Sequence, residues 1–473
     1  MNKLQSAVMS ASYQEALDYL YGFVNFEHRR LDRYSPEHIS LERIQDFLEL
    51  LGNPQETFPS IHIAGTKGKG SVAAMCAFSL RASGLKCALY TSPHLQDFRD
   101  RIRILTPDDA DGRISEEKIV ELIDRIGPKA ELIEDLTWYE LVTAIAFIHF
   151  AEAGVDIAAI EVGLGGRLDA TNVITPLVSV ITSLSFDHTS LLGDSLAEIA
   201  VEKGGIVKYG VPVVSSPQDP EALSQIERIA HENEAPLMVI GREWRYAMVE
   251  NGSEEKPNAL PMVQHIVITG SPDSAIAPVG SRFDLALAGH HQQENALVAL
   301  AALEVARDSF PALTQATVKL GLSQVFWPGR MQILAQGGES PTLLVDCAHN
   351  VDSAQKLAYT LENEIEYRRL ILVIGTTADK DVRGIMNALL PLCDYLVFTT
   401  SGHPRASDPD ELVQLAFKLG FESRAEPNVV EAVREARRLA GAGDLVCVTG
   451  SIFVVGDLLN HWEALQSQLW VEK

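Results

Sequence analysis

Apolar residues recur along the chain in short, Val- and Ile-rich runs separated by longer stretches of helical period. The first series lies at 61–64, 87–91, 156–162, 177–183 and 211–215. Strand-like runs alternating with helices predict a parallel sheet, because each crossover helix returns the chain to start the next strand in the same direction. A second series follows Pro328-Gly329, at 343–347, 370–376, 395–400 and 445–449, with helical stretches such as 410–419 and 429–439 between its members. The pattern predicts an α/β protein: an N-terminal P-loop-type parallel-sheet ATPase domain over residues 1–327 and a C-terminal Rossmann-like α/β domain over 328–473. Helices are expected at 13–23 and 40–51, ahead of the first strand. Residues 295–305, NALVALAALEV, read as a buried helix. The stretch 241–282 mixes Trp, Gly, Pro and acidic residues with short β-like pieces and predicts a β-hairpin layer outside the main sheets.

Size and charge narrow this picture. A chain of 473 residues exceeds one ordinary core. It has no run of 18 uncharged apolar residues, and residues 1–20 lack the basic, apolar and small-residue segments of a signal peptide, so a cytoplasmic location is expected. The five cysteines are scattered without C-x-x-C spacing and read as reduced core residues. A net charge of −25 argues against nucleic-acid or membrane-surface partners, since phosphates would be repelled at long range. An anionic ligand must instead be gathered by a local basic cluster.

Residues 61–80, IHIAGTKGKGSVAAMCAFSL, supply one. A strand leads through Gly65, Gly68 and Gly70, with Lys67 and Lys69, into a helix. Glycines let backbone N–H groups converge on an anion and the helix start adds its positive end, so the segment points to a nucleotide triphosphate. The loop departs from G-x-x-x-x-G-K-[ST]: Ile63 stands where the first glycine belongs, and the hydroxyl comes one residue late, at Ser71.

Further segments end or follow predicted strands, where open α/β sheets bind ligands. Thr91-Ser92-Pro93-His94 offers Ser92 as an oxygen ligand for a hard cation, though alone it is also a capped turn. In EVGLGGRLDATN, Glu161 stands at a strand end where a carboxylate can hold Mg²⁺ against phosphates. Asp187-His188 fits a second-cation ligand with an orienting neighbour. Lys203-Gly204-Gly205 has a solvated helix end as its default meaning. In the second series, Asp346-Cys347-Ala348-His349-Asn350 closes a strand, and Arg330 at the hinge can reach a nucleotide held by the first domain on closure.

In this order GTKGKGS, TSPHL, EVGLGGRLDATN, DHTSLLG, EKGGI, PGRM, DCAHN and TGS resemble the folylpolyglutamate synthases of the Mur ligase superfamily, in the bacterial form that is also a dihydrofolate synthase. The resemblance spans nearly the whole chain. It implies an ATP-dependent amide ligase adding L-glutamate to dihydropteroate, to a reduced folyl-polyglutamate, or to both, through an acyl phosphate. It further implies that Lys67, Gly68, Lys69, Gly70 and Ser71 line the ATP phosphates, and that Asn295, Arg330 and Asp346 also contact ATP. Ser92, Glu161 and His188 are then the ligands of Mg²⁺, at two sites. Lys203 matches a lysine that is carbamylated in the superfamily, which turns a cation into a carboxylate. Lys69, Lys203, His188 and His349 carry the catalytic roles, with His349 and Ser451 on the glutamate side. Thr137, Trp138, Tyr139 and Glu140, with Leu168, Asp169 and Ala170, match pterin-binding segments, although Trp138 and Tyr139 equally suit a core. The LDA triplet favours the bifunctional enzyme over one acting on folyl-polyglutamates alone. A Mur ligase of cell-wall synthesis is the alternative, but about 60 residues before the phosphate loop are too few for its UDP-binding domain. A monomer is the family expectation. The chain departs from the family at Cys347 and Val351, where Gly and Pro are usual in DGAHN-P.

Overall fold

The computed structural model describes residues 2–25, 40–248, 263–336 and 338–470. Strands β1 (Ser60–Ala64), β2 (Cys87–Tyr90), β3 (Ile102–Leu105), β4 (Ile157–Glu161), β5 (Val178–Ile181), β6 (Val213–Ser215) and β7 (Leu237–Val239) form one sheet in the order β3-β2-β4-β1-β5-β6-β7. Every residue of β1, SIHIA, is buried, as expected for a central strand covered on both faces. It pairs in parallel with β4 on one side and β5 on the other, with Ile63 opposite both Glu161 and Val180. The chain leaves β1 for β2, beyond β4, and later returns to β5 on the other flank. That reversal opens a crevice at the carboxyl edge beside β1.

The sequence pattern predicts a parallel sheet and marks five of its strands; the sheet has seven, and β3 runs antiparallel on the edge. β3, IRIL, contains the buried Arg103 and follows the buried Arg101, whose charges hide it from a hydrophobic reading.

The helix Trp138–Ala153 shows how local sequence fixes the flanks. Thr137 and Glu140 close a capping box at its start, and Gly154 ends it in the left-handed conformation. The predicted hairpin layer is a three-stranded antiparallel sheet of β8 (Arg245–Met248), β9 (Gln264–Gly270) and β10 (Arg282–Leu285); residues 249–262 of that stretch lie outside the described residues. Its buried Ile266, Ile268, Phe283 and Leu285 join the same core as the helix His290–Arg307, which contains the predicted 295–305 helix.

A second sheet comprises β11 (Gln332–Ala335), β12 (Thr342–Val345), β13 (Leu370–Ile374), β14 (Tyr395–Phe398), β15 (Arg424–Ala425) and β16 (Leu445–Thr449), ordered β11-β12-β16-β13-β14-β15. Four of its strands are the ones the sequence marks, and β11, on the edge, pairs antiparallel with β12, Gln332 opposite Val345. Helices cover both faces and bury two apolar clusters. The five cysteines are unpaired, and four are buried. Among the described residues, no helix is long and apolar enough to cross a membrane.

Candidate active site between the two sheets

The phosphate loop follows β1 directly. Gly65 has φ +147°, and a Cβ there would fall 1.9 Å from Thr182 Oγ1. Only glycine lets the chain pass so close to the end of β5. The N–H groups of Thr66 and Lys67 then donate to the Ser183 carbonyl at 3.0 and 3.1 Å. Gly68, at φ +88°, caps the helix Lys69–Ala82, and a Cβ on it would meet Asn295 Oδ1 at 2.3 Å. The predicted nucleotide residues 67–71 and Asn295 are thus assembled at one helix start. Ser71 is buried in the first turn of that helix.

Glu161 ends β4 beside this loop. Its Oε2 accepts the Ser92 N–H at 3.2 Å, and its Oε1 lies 3.9 Å from Lys69 Nζ. Burial pushes the Glu161 carboxyl up, against the pull of Lys69 and the Ser92 N–H. Lys203 is buried, not solvated, and its Nζ donates to the Gly65 carbonyl at 2.9 Å. Burial, then the nearby charge of Lys69, lower its ammonium to about 7. Near neutral pH such a lysine has a neutral fraction that a solvated one lacks.

Asp187 is the meeting point of the two sheets. It accepts from Lys67 Nζ at 3.0 Å, from Lys380 Nζ at 2.9 Å and from Asn350 Nδ2 at 2.9 Å. Lys380 follows β13 and Asn350 follows β12, so the contacts tie the carboxyl edge of the second sheet to the phosphate loop. Burial alone would raise the Asp187 carboxyl, but Lys67, His188 and Lys380 hold it well below the usual range. Lys67 Nζ also reaches His349 Nε2 at 3.1 Å, while His349 Nδ1 faces the Cys347 carbonyl at 2.9 Å. A carbonyl only accepts, so Nδ1 carries the proton and Nε2 is the acceptor for Lys67. The Lys67 charge beside it, with burial, keeps the ring well below its ordinary pKa and therefore neutral.

Other predicted residues fall into two groups. His188 adopts φ +51°, and its side chain, 44% exposed, leans on Asp187 at 3.8 Å. Among the described residues, no three His, Cys, Asp or Glu side chains gather for a metal ion. Asp346 accepts the N–H groups of Met331 at 3.0 Å and Ala348 at 2.9 Å, fastening the residue after Arg330 to the strand end. The Cys347 thiol packs where a Cβ on Gly329 would be 2.7 Å away. Val351 begins the helix Val351–Asn363, which Asn350 caps. Ser451 caps the helix Ile452–Leu469 by accepting the Phe453 N–H.

The predicted pterin residues form a separate, mostly structural set. Trp138 is 1% exposed, with Tyr21 stacked 5.9 Å away and the Arg101 guanidinium 4.8 Å over its ring. Glu140 accepts from Thr137 and pairs with Arg43 at 2.9 Å. Asp169, between Leu168 and Ala170, holds the N–H groups of Gly163 and Leu164 at 3.0 Å. Tyr139 packs on Gly163, where a Cβ would come within 2.6 Å of its ring. Sequence reasoning missed Lys380. Lys380 sits in Asp379-Lys380-Asp381 just past a strand end, a charge cluster that could have flagged it.

Residues 63–303 match the Mur ligase middle domain, and residues 329–452 match the Mur ligase glutamate ligase domain. The chain is 34% identical over 477 residues to the dihydrofolate synthase/folylpolyglutamate synthase of Mycobacterium tuberculosis, covering 93% of each. The chain belongs to the Mur ligase family. Within that family it is 30% identical to the Bacillus subtilis dihydrofolate synthase/folylpolyglutamate synthase, covering 95% of this chain and 99% of the relative. The solved M. tuberculosis folylpolyglutamate synthase complexed with ADP superposes with a TM-score of 0.81 at 32% identity, covering 96% and 98% of the two chains. As a Mur ligase of this type the chain is an ATP-dependent ligase, as its motifs imply.

Proposed function

We propose that this ligase joins L-glutamate to dihydropteroate and to the γ-carboxylate of reduced folyl-polyglutamates, acting as a cytoplasmic monomer of two domains, 1–327 and 328–473. The observation that carries the reading is Asp187, which gathers Lys67 of the phosphate loop with Lys380 and Asn350 of the second sheet. A site that must bring ATP, an acid and an amine together needs groups from both sides at one point.

In this reading a substrate carboxylate oxygen attacks the γ-phosphorus of ATP, ADP leaves, and an acyl phosphate forms. The glutamate nitrogen then attacks the acyl carbon, loses its proton, and phosphate departs with the bonding pair. Phosphoryl transfer asks for positioning and charge neutralisation more than covalent help. Lys67, Lys69 and the N–H groups at Gly68–Ser71 supply both. Drawn onto phosphate, Lys67 would release His349 Nε2, leaving a neutral imidazole nitrogen to accept the proton of the glutamate ammonium.

Mg²⁺ fits the residues present: Glu161 is a buried carboxylate that accepts the Ser92 N–H at 3.2 Å, with the Lys69 ammonium 3.9 Å away. Bound there, Mg²⁺ would neutralise phosphate charge. Glu161 and Ser92 would hold it, with His188 toward a second ion. A carbamate on Lys203 is supported by the depressed amine, since only a neutral amine adds CO₂. The pterin would lie toward Tyr139 and the Leu168–Ala170 turn.

The test is to incubate the purified protein with ATP, Mg²⁺ and L-glutamate, with dihydropteroate or a reduced folate, and to measure phosphate release and product mass. Each acceptor should gain one glutamate residue per phosphate released. Phosphate release that needs no pterin would sink the folate reading.

A further inference from the structure

We propose that Trp327 is a positioning residue that couples occupancy of the phosphate loop to the hinge. The inference rests on the nucleotide reading above and assigns a part to a residue outside the motifs. A Cβ placed on Gly70 would lie 3.3 Å from Trp327 Cζ2, 3.3 Å from its Nε1 and 3.3 Å from Glu161 Oε2. The edge of the indole that bears the N–H therefore borders the same small space as the Glu161 carboxylate, at the first turn of the helix Lys69–Ala82. The rest of the ring packs, partly buried, against the core of the first sheet.

Beyond Trp327 the chain is bound to the other side. The Gly329 carbonyl accepts the Cys347 N–H at 2.9 Å, and the Gly329 N–H donates to Gln332 Oε1 at 2.9 Å. Met331, at φ +45°, donates to Asp346 at 3.0 Å. Residues 327–331 thus form a short strut. One end rests on the loop that receives phosphates, and the other on the strand end that carries His349 and Asn350. Gly70 has no side chain to hold the ring off, so a shift of the loop's first turn on binding phosphate reaches the indole directly. The indole N–H is also a neutral donor facing a region where phosphate oxygens, which only accept, would enter. Through the strut, seating of the nucleotide sets the approach of His349.

The experiment uses the full chain with ADP as the probe. Emission of the wild type is compared with Trp327→Phe and Trp327→Ala, with calorimetry reporting ADP binding independently and steady-state rates giving kcat and KM for ATP. ADP should change the wild-type emission, and the change should vanish in Trp327→Phe although four other tryptophans remain. Trp327→Ala should raise KM for ATP about fivefold, the size of one lost hydrogen bond, and lower kcat about tenfold through the hinge. Trp327→Phe keeps the ring and should recover most of kcat but not KM. Calorimetric binding of ADP to the wild type without an emission change, an undiminished change in Trp327→Phe, or unaltered kcat and KM in Trp327→Ala would each overturn the coupling alone. Absence of ADP binding to the wild type would overturn the nucleotide reading and the coupling with it.

Discussion

The Lys203 ammonium nitrogen donates to the carbonyl of Gly65 across 2.9 Å, tying the helix Leu196–Gly204 to the first residue of the phosphate loop. A lysine at that position, drawn down to about 7 mainly by burial, stands between two states: a cation beside other cations, or a neutral amine open to modification. Lys203→Ala should therefore lower turnover by about a hundredfold, roughly 3 kcal/mol of transition-state stabilisation. Short carboxylic acids added to the variant should restore part of it by standing in for a carbamate. A variant fully active without them would exclude that role.

Asp187→Asn keeps the shape of the interdomain contact and removes its charge. Lys67 and Lys380 would then repel each other in a buried space with no anion between them. Loss of one partner from a buried pair costs about 3–5 kcal/mol. The expected result is a fall in kcat of about a hundredfold or more, with KM for glutamate raised, while the thermal transition stays cooperative. Wild-type kinetics in this variant would show that the contact does not shape the reacting state.

Leu95, in the loop that carries Ser92, docks on the helix Ile452–Leu469 at Gly456, where a Cβ would fall 2.0 Å from the Leu95 carbonyl oxygen. Gly456→Ala should favour the helix itself by up to about 1 kcal/mol. The same methyl would push the Ser92 loop off the second sheet's side. Because the clash is with backbone it outweighs the helix gain, so we expect a lowered thermal midpoint together with about a tenfold drop in activity measured well below that midpoint. Steady-state assays beside a melting curve decide it.

His62, in the middle of β1, is fully buried and bonds Thr171 Oγ1 at 2.9 Å through Nε2. Burial, with Lys208, lowers its pKa to about 3. Between that value and about 6.5 the unfolded chain binds the proton and the folded one does not, so stability falls as pH falls through this window. At pH 5 the loss is about 2 kcal/mol. Denaturant unfolding of His62→Gln should lack this component of the pH dependence; an identical slope from pH 7 to 5 would remove His62 as its source.

The strand-end residues were legible because the chemistry and the fold share a signal: apolar runs broken by Gly, Ser, Asp or His mark both a strand's end and a ligand edge. Gly65, Glu161, Asp187 and Asp346 all emerged in this way. What could not be read was the pairing across the sheets. Nothing within Asp379-Lys380-Asp381 says that its lysine will meet Asp187, because that contact depends on how two independently patterned sheets are set against each other. Trp138 shows the opposite ambiguity: an aromatic pair in a motif fits a flat ligand or a core, and its neighbours Tyr21 and Arg101, distant in sequence, cover its ring. The edge strand β3 escaped notice because the buried Arg103 interrupts its apolar pattern, and β11 because it is only half buried.

The reversed direction of β11 settles how the linker delivers the second half of the protein. Since Gln332 lies opposite Val345, the last residue of β12, the chain arriving from Arg330 enters the second sheet at its carboxyl end. Had β11 run parallel, Gln332 would sit level with Thr342, about 10 Å away at the other end of the strand. The tether is therefore short on the side where the two ligand-bearing edges face each other. Any rotation of the second half about this linker would pivot next to the reacting groups, moving the far rim more than the side chains at that edge.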